Sequence, residues 1–213
     1  MENERILMLM SIDNRKYANF HGCGEFGIPK IYPETMPDCK SWTGFNYVKS
    51  RVKNPENNGV HFFLYDYQFL RVWRTPTKYI DLLKKFNCVL SPDFSIYSDY
   101  PKAMMIYNHY RKHWLGAYWQ SQGIKVIPTI SWANEDSFDW CFDGEPENSA
   151  VAVSSVGTQL NKETKKAFMK GYDAMLEKLG PETILFFGKV PDEAEGNIIK
   201  CPTFYEKFSE MVI

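Results

Sequence analysis

Two aspartates, Asp66 and Asp93, stand where apolar runs of the chain end, a placement that suits acid–base chemistry. Asp66 directly follows residues 60–65, and Asp93 comes three residues after the run 88–90. Two carboxyls brought into one cavity can act as the catalytic pair of a hydrolase or bind a hard cation such as Mg²⁺. The simpler alternative is that each caps a helix or bonds loop backbone. No Asp-x-Asp spacing supports a metal, so we predict no cofactor and keep Mg²⁺ as the alternative.

A second polar group follows two later apolar runs and has the composition of an anion site. A Ser-rich turn lies between one run and the predicted start of a helix, where hydroxyls and backbone N–H groups bind phosphate. The next run ends in a Gly-Lys pair, and barrels often build phosphate sites from two late neighbouring strands. No Gly-x-Gly-x-x-Gly or Gly-x-x-x-x-Gly-Lys motif is present. The predicted anion-binding residues are Ser154, Ser155, Gly157, Thr158, Gly188 and Lys189.

Ser91, Ser131 and Trp132 complete the predicted site, because each also follows an apolar run. The Trp132 indole offers a surface on which a purine, nicotinamide or sugar ring can stack. We predict that one concave site is surrounded by Asp66, Ser91, Asp93, Ser131, Trp132, Ser154 and Gly188.

His109 and His113 stand four residues apart in a predicted helix, a spacing that can place two imidazoles on one metal ion. The glutamate of a His-Glu-x-x-His motif is absent. A solvated helix face explains the pair better, so we predict no metal ligands, with zinc as the alternative.

The apolar runs themselves predict the fold class. They are near-continuous in β-branched and aromatic residues, as is typical of strands buried on both faces of a parallel sheet. They cover residues 60–65, 88–90, 125–130, 150–153 and 183–187. The predicted sheet core consists of Phe62, Leu64, Ile127, Ile130, Val151, Val153, Leu185 and Phe187.

Strands that alternate with helices predict one α/β domain over residues 1–213, with a loop-rich N-terminal segment over about 1–59. We favour a (β/α) barrel-like fold, closed or incomplete, because all five strand ends carry polar groups. The alternative is an open doubly wound parallel sheet, which needs such groups mainly at its switch point.

Helical periodicity predicts three helices between or after these strands. They cover 79–86, about 101–123, and a segment that begins after the cap residue Asn161 and ends at Gly180. The residues after Ser131 predict only a helical turn. Short strands are predicted around 28–32 and 198–200, and a last helix at about 203–211.

Composition argues against two classes of partner. With 25 Lys+Arg against 26 Asp+Glu, the net charge of −1 gives no electrostatic reason to expect nucleic acid or an anionic membrane. The apolar stretch 6–10 is too short to span a bilayer. The 5 cysteines form no Cys-x-x-Cys pair. We therefore expect a cytoplasmic protein with reduced thiols.

Six segments of the chain are distinctive in composition and order. They read Phe26-Gly27-Ile28-Pro29-Lys30, His61-Phe62-Phe63-Leu64-Tyr65-Asp66-Tyr67, Val89-Leu90-Ser91-Pro92-Asp93-Phe94-Ser95, Trp114-Leu115-Gly116-Ala117-Tyr118-Trp119-Gln120, Val126-Ile127-Pro128-Thr129-Ile130-Ser131-Trp132 and Phe138-Asp139-Trp140-Cys141-Phe142-Asp143-Gly144. Together they resemble a domain-of-unknown-function family found in phages and integrative elements of bacteria. The resemblance covers about 26–188, implies a context of phage or mobile DNA, and brings no catalytic residue.

The predicted pocket and the implied context together favour one function. The protein would bind a small phosphorylated or nucleotide-like molecule, sequestering or cleaving it as a countermeasure against nucleotide-signalled host defence. If the protein is an enzyme, we expect a hydrolase. One alternative is an interaction factor in element replication or transfer that contacts protein or DNA through the basic stretches 49–53 and 162–170. Another is a carbohydrate-active hydrolase that uses Asp66 and Asp93 as its two carboxyls.

Overall fold

The computed structural model of the protein describes residues 14–50 and 52–201. In this part of the chain the strands are β1 (Gly22–Cys23), β2 (Ile28–Pro29), β3 (Ser41–Gly44), β4 (Asn58–His61), β5 (Cys88–Leu90), β6 (Val126–Ile127), β7 (Ala150–Ser154), β8 (Thr183–Phe187) and β9 (Ile198–Cys201). The α-helices are α1 (Asp66–Phe69), α2 (Arg71–Arg74), α3 (Ile80–Leu83), α4 (Lys102–Ser121) and α5 (Lys162–Leu179). Short 3₁₀ helices cover Phe45–Tyr47, Pro55–Asn57, Pro76–Tyr79 and Glu135–Ser137.

The fold is mixed α/β and built on parallel strands, as the apolar runs predict. Strands β3, β4, β5 and β6 form one parallel sheet in that order, and β7, β8 and β9 form another. A parallel bridge between Thr129 and Ala152 joins the two sheets just after β6. The Ile130 N–H donates to the Ala152 carbonyl at 2.8 Å, and the Ala152 N–H donates to the Pro128 carbonyl at 2.8 Å. Strands β1 and β2 form a separate antiparallel pair.

Strands β5, β6, β7 and β8 are buried on both faces, whereas β3 and β9 are partly exposed. In β7 and β8, alternate residues such as Val151, Val153 and Ile184 pack with the apolar stripe of α5. The intervening residues of these strands share a second apolar cluster with β5 and β6, formed by Cys88, Leu90, Ile127, Ala150, Ala152, Leu185, Phe187 and Cys201. Two buried faces explain why the sequence of these strands does not alternate with polar residues.

The two long helices begin and end where the sequence predicts. At the start of α5, the Asn161 side chain accepts a hydrogen bond from the Thr164 N–H, and the Thr164 side chain accepts one from the Asn161 N–H. Gly180 ends the helix in the left-handed conformation, with φ of 51°. Helix α4 follows Pro101 and ends just before Gly123, whose φ is 81°.

Most of the smaller predicted elements are also present. A 3₁₀ turn and α3 replace a single helix over 79–86, the segment 28–32 contains β2, and β9 includes the predicted strand at 198–200. Of the predicted core, Leu64 is only partly buried, and the other residues are buried. The apolar stretch 6–10 and the predicted helix at about 203–211 lie outside the described residues. No helix in 14–50 or 52–201 combines the length and apolar character needed to cross a membrane.

Candidate functional site

A cavity of about 430 Å³ opens beyond the carboxyl ends of β4, β5 and β7 and beside the segment that follows β6. Its wall on the far side is the first two turns of α5. The lining residues are Phe63, Asp93, Tyr97, Ile130, Ser131, Trp132, Ala133, Ser154, Val156, Gly157, Thr158, Thr164, Ala167 and Phe168. This volume lies in the range of small-molecule sites, and the position is the one at which α/β proteins bind ligands. We call this cavity the strand-end cavity.

Six of the residues predicted from sequence line the strand-end cavity together. They are Asp93, Ser131, Trp132, Ser154, Gly157 and Thr158. These residues come from three separate connections of the chain. They meet because parallel strands end at the same edge of a sheet.

The other predicted residues do not line this cavity. Ser91 is fully buried: its hydroxyl oxygen accepts a hydrogen bond from the Thr129 N–H at 2.8 Å, and its carbonyl accepts one from the Thr129 hydroxyl at 2.8 Å. The Ser155 hydroxyl donates to the Lys189 carbonyl at 2.7 Å. Gly188, with φ of 93°, forms the turn beside Ser155, where a Cβ atom would lie 3.0 Å from the serine hydroxyl oxygen. These residues stabilise the floor and loops of the site.

Asp66 and Asp93 lie at the same end of the sheet, but their environments differ. Asp66 begins α1 and accepts hydrogen bonds from the Ser95 hydroxyl at 2.8 Å and from the Ser95 N–H at 3.2 Å. Arg111 is electrostatically coupled to Asp66 and stacks over the Phe94 ring at 4.0 Å. Asp66 therefore holds the loop after β5 in place, as the simpler of the two sequence-based alternatives predicts.

Asp93 is the ionisable carboxyl of the cavity wall. Burial raises the pKa of Asp93 to about 7, the nearby charge of Asp66 adds to this rise, and Lys112 opposes it. A carboxyl with a pKa near neutrality can both donate and accept a proton at the pH of a cell. Asp93 can therefore act as a general acid or a general base.

Trp132 forms the wall between the sheet and α5. Its ring lies 5.2 Å from the Phe168 ring, measured between centroids, and is tilted by 41°. The indole also lies against the backbone of α5 at Gly171, where a Cβ atom would approach the indole nitrogen to 2.2 Å. A glycine is needed at this position because any side chain would displace the indole.

The loop between β7 and α5 closes the cavity on one side. The Thr158 hydroxyl and its N–H both donate to the Ser155 carbonyl, at 2.9 and 3.1 Å, and the Val156 N–H donates to the Ser154 hydroxyl oxygen at 3.3 Å. These bonds order the loop beside the N-terminus of α5. The lining contains no lysine or arginine, and Lys189 is exposed outside it.

His109 and His113 are buried, with exposed fractions of 1% and 0%. The prediction of a solvated helix face for this pair is wrong, because α4 is covered on that face by β2 and the segment that follows Trp140. Lys112 is buried beside them and pairs with Glu145 at 2.6 Å. These four side chains, His109, Lys112, His113 and Glu145, are called the histidine cluster.

Sequence reasoning missed several residues of both regions. Tyr97, Phe63 and Phe168 line the strand-end cavity, but their sequence positions are equally typical of core residues. For the histidine cluster a signal exists: residues 109, 112 and 113 fall on one face of a helix that is otherwise rich in aromatic residues. Glu145 gives no such signal because it comes from a loop 32 residues away from His113.

Comparison with known proteins places the chain in a phage context. The family described as "Domain of unknown function (DUF4417)" matches residues 20–205. The chain is 35% identical over 192 residues to "Gene 1 protein" of Mycobacterium phage L5, an alignment that covers 88% of this chain and 83% of that protein. It is also 35% identical over 197 residues to "Gene 1 protein" of Mycobacterium phage D29, covering 91% of this chain and 73% of that one. No solved structure matches the chain.

Proposed function

The chain belongs to the DUF4417 family, and we propose that it binds a small nucleoside- or nucleotide-like molecule in the strand-end cavity and exchanges a proton with it through Asp93. The observation that carries the proposal is that six residues predicted from sequence, Asp93 among them, line one cavity at the carboxyl ends of the parallel strands, and the pKa of Asp93, raised to about 7 by burial, supports it. General acids and bases are most effective when their pKa lies near the working pH. If the protein is an enzyme, we expect a hydrolase in which Asp93 is the proton donor or acceptor.

The lining supports a ligand that has both a planar ring and hydroxyl groups. Trp132, Tyr97 and Phe168 offer aromatic surface to a base, and Ser131, Ser154 and Thr158 place hydroxyls around it. The side chain of Asp93 adds a hydrogen-bond donor when protonated and an acceptor when ionised. A nucleoside has the donors, acceptors and flat faces that such a wall can bind.

The charges of the lining residues limit how many phosphate groups the ligand can carry. Because no lysine or arginine lines the cavity, a polyphosphate would gain no direct ion pair there. A single phosphate could still accept hydrogen bonds from the Ser131 and Ser154 hydroxyls beside the N-terminus of α5, an 18-residue helix. We therefore expect nucleosides and nucleoside monophosphates, including cyclic ones, to bind more tightly than triphosphates.

The carbohydrate alternative receives less support. A glycosidase of the usual kind needs two carboxyls that flank one bond. Among the residues that the structure describes, Asp93 is the one carboxyl that lines the cavity, and the Asp66 carboxylate is held by Ser95. The interaction alternative would use exposed lysines of α5 such as Lys162 and Lys166, but the net charge of −1 does not favour DNA.

We also propose that the two parallel sheets together form a barrel-like architecture. Trp42 of β3 lies 5.7 Å from Phe187 of β8 between ring centroids, and the Cys39 and Cys88 sulfurs lie 3.4 Å apart. Trp42 and Cys39 also pack against the apolar cluster that contains Cys201 of β9, and these contacts of the β3 edge with β8 and β9 support a curved arrangement of the seven parallel strands. We infer an incomplete (β/α) barrel whose strand ends surround the cavity.

The phage relatives support a role in the conflict between a phage and its host. A protein that binds or cleaves a nucleotide-like signal would protect the element that encodes it. This role predicts that cyclic nucleotides are among the ligands.

A thermal-shift screen tests the proposal directly. The probes are adenosine, guanosine, AMP, cyclic AMP, ATP and glucose 6-phosphate. Saturation at about 100 times the dissociation constant should add roughly 2.7 kcal/mol of stability, which is readily seen as a higher Tm. Trp132→Ala should abolish the shift and Asp93→Asn should only reduce it, whereas Tyr32→Ala and Asp81→Asn, which change exposed residues outside the cavity, should preserve it.

The outcomes separate binding from cleavage. If a probe binds to wild-type protein and is hydrolysed, Asp93→Asn should stop turnover more strongly than it weakens binding, because the amide cannot exchange the proton. If none of the probes shifts Tm, or if both cavity variants bind as tightly as wild type, the proposal is wrong.

A further inference from the structure

The histidine cluster lies inside the protein, apart from the strand-end cavity. Its side chains are almost completely removed from water: the exposed fraction is 1% for His109 and Lys112 and 0% for His113 and the Glu145 side chain. His109, Lys112 and His113 come from α4, and Glu145 comes from the loop that precedes β7. Burying four ionisable side chains together is unfavourable unless each of their polar atoms has a hydrogen-bond or ionic partner.

Backbone carbonyls fix the proton positions on both imidazoles. The His109 Nε2 lies 2.9 Å from the Asp143 carbonyl, and the His113 Nδ1 lies 2.9 Å from the Pro29 carbonyl. A carbonyl oxygen only accepts, so each of these nitrogens carries the hydrogen. In a neutral imidazole the other nitrogen then has a free lone pair. The free atoms are His109 Nδ1 and His113 Nε2.

Neither of these two lone pairs faces a hydrogen-bond donor. His109 Nδ1 and Glu145 Oε2 are buried and have no hydrogen-bond partner. His113 Nε2 lies 3.0 Å from Glu145 Oε1, so a lone pair faces a carboxylate oxygen. One ligand atom from each of His109, His113 and Glu145 lies within 4.8 Å of the others. Such an arrangement of acceptors is stabilised by a cation between them, either a metal ion or a proton on one imidazole.

We propose that His109, His113 and Glu145 bind a divalent transition-metal ion, of which zinc is the expected one. Two imidazole nitrogens and a carboxylate oxygen are a donor set that zinc uses widely. Atoms bound to one tetrahedral zinc at about 2.0–2.1 Å lie roughly 3.4 Å apart, so the separations of up to 4.8 Å must shorten when the ion binds.

The surroundings match those of known metal ligands. A metal-bound histidine normally donates its second ring N–H to a carbonyl or carboxylate, as His109 and His113 do. Glu145 Oε1 is already held by the Lys112 ammonium at 2.6 Å, which leaves Oε2 as the ligand atom. Lys112 also donates to the Thr129 carbonyl at 2.8 Å, so two of its three N–H groups have partners.

The geometry indicates a structural ion. The three ligands join α4 to the loop before β7, and the Pro29 carbonyl ties β2 to the same point. Gly144 makes this approach possible, because at φ of 79° a Cβ atom there would lie 2.6 Å from the Pro29 carbonyl oxygen. A metal at this position would fix three segments that are far apart in sequence.

The alternative to a metal is a proton on His113. An imidazolium would donate to both the Pro29 carbonyl and Glu145, but it would leave His109 Nδ1 and Glu145 Oε2 without partners. The two explanations differ in what they predict for added metal.

The test uses the full-length protein stripped with a chelator. Titration with Zn²⁺, followed by calorimetry, should show about one ion per chain, and Co²⁺ should give the visible d–d bands of a four- or five-coordinate site. Bound Zn²⁺ should raise Tm and should shift the ¹⁵N resonances of His109 Nδ1 and His113 Nε2. His109→Gln and Glu145→Gln should bind Zn²⁺ at least tenfold more weakly, as for other changes near metal sites. The matched control is His21→Gln, which changes an exposed histidine.

The result can overturn the proposal even if a variant fails to fold. Stripped wild-type protein that is folded by circular dichroism, yet binds neither Zn²⁺ nor Co²⁺, would refute it. So would a His113 ring that carries both protons when Zn²⁺ is present, or folded variants that bind Zn²⁺ as wild type does.

Discussion

The strand-end cavity and the histidine cluster lie on either side of the segment after β6. Each contains a carboxyl whose pKa burial alone would raise, which favours the neutral form. The Thr129 carbonyl binds Lys112 of the cluster, while the next residues, Ile130 to Ala133, line the cavity. The pKa values of the two carboxyls nevertheless move in opposite directions. Burial raises the pKa of Asp93 to about 7, whereas the pKa of Glu145 is lowered despite its burial.

The difference comes from the partners. Burial is the largest influence on Glu145 as well, but Lys112 at 2.6 Å and His113 together outweigh it and hold the pKa below the ordinary value. At Asp93, Lys112 acts to lower the pKa but does not cancel the rise that burial causes. A buried acid with a bonded cation stays ionised and holds the fold together, and one without such a cation titrates near neutrality. The first environment suits structure, and the second suits proton transfer.

Glu145→Ala should have the largest effect on stability. It leaves the buried Lys112 ammonium without its carboxylate, and breaking a buried pair in this way costs about 3–5 kcal/mol. Urea unfolding of the variant measures the loss. Glu177→Ala, which changes an exposed residue of α5, should stay within about 0.5 kcal/mol of wild type. A loss below about 1 kcal/mol for Glu145→Ala would show that the cluster does not stabilise the fold as proposed.

Asp93→Asn should change the pH dependence of stability. The folded pKa of Asp93 is raised from 3.8 to about 7, so protonation favours the folded state. This contribution is complete below about pH 3.8 and is lost as the pH rises through about 7. The variant should therefore be more stable than wild type at pH 8, by at most about 4 kcal/mol, and equal to it near pH 4. Unfolding at both pH values checks this, and a difference independent of pH would contradict it.

Gly171→Ala tests the wall of the strand-end cavity. The added Cβ atom would lie 2.2 Å from the Trp132 indole nitrogen, so the ring must move. Overpacking of this kind costs about 1–3 kcal/mol, although alanine favours the helix. We expect a lower free energy of unfolding together with weaker binding of any ligand that Trp132 contacts. Unchanged stability and binding would mean that the ring adapts without loss.

Asn161→Ala should have the smallest effect. It removes the hydrogen bond from the Thr164 N–H to the Asn161 side chain, at 2.8 Å, and with it half of the capping box of α5. Loss of such a cap typically costs about 0.5–2 kcal/mol. The loop 154–158 adjoins this end of the helix, so hydrogen exchange should increase there and at the first turn of α5. Exchange that increases equally throughout the protein would contradict this account.

The sequence predicted the elements that repeat a strong local pattern. The apolar runs predicted β4, β5, β6, β7 and β8, because burial on both faces produces near-continuous apolar sequence. Asn161 and Gly180 predicted the ends of α5, because caps and left-handed glycines are local requirements. The position of six cavity residues followed from the same reasoning, since strand ends of a parallel sheet converge.

What the sequence did not predict depends on contacts between distant segments. Nothing local distinguishes Asp66, whose carboxylate is used by Ser95, from Asp93, which lines the cavity. The partners of the two histidines come from Pro29, Asp143 and Glu145, so the burial of that helix face could not be read from α4 alone. Long-range packing decided each of these cases.

The most direct test of the account is the pKa of Asp93 itself. Titration of the aspartate side-chain carboxyls by ¹³C NMR, with the Asp93 resonance assigned by its loss in Asp93→Asn, measures this value. We expect a midpoint of about 7, because the carboxyl is buried in the cavity wall without a bonded cation. A midpoint near the ordinary 3.8 would contradict the account, because Asp93 would then be permanently ionised and unable to serve as the proton carrier of the cavity.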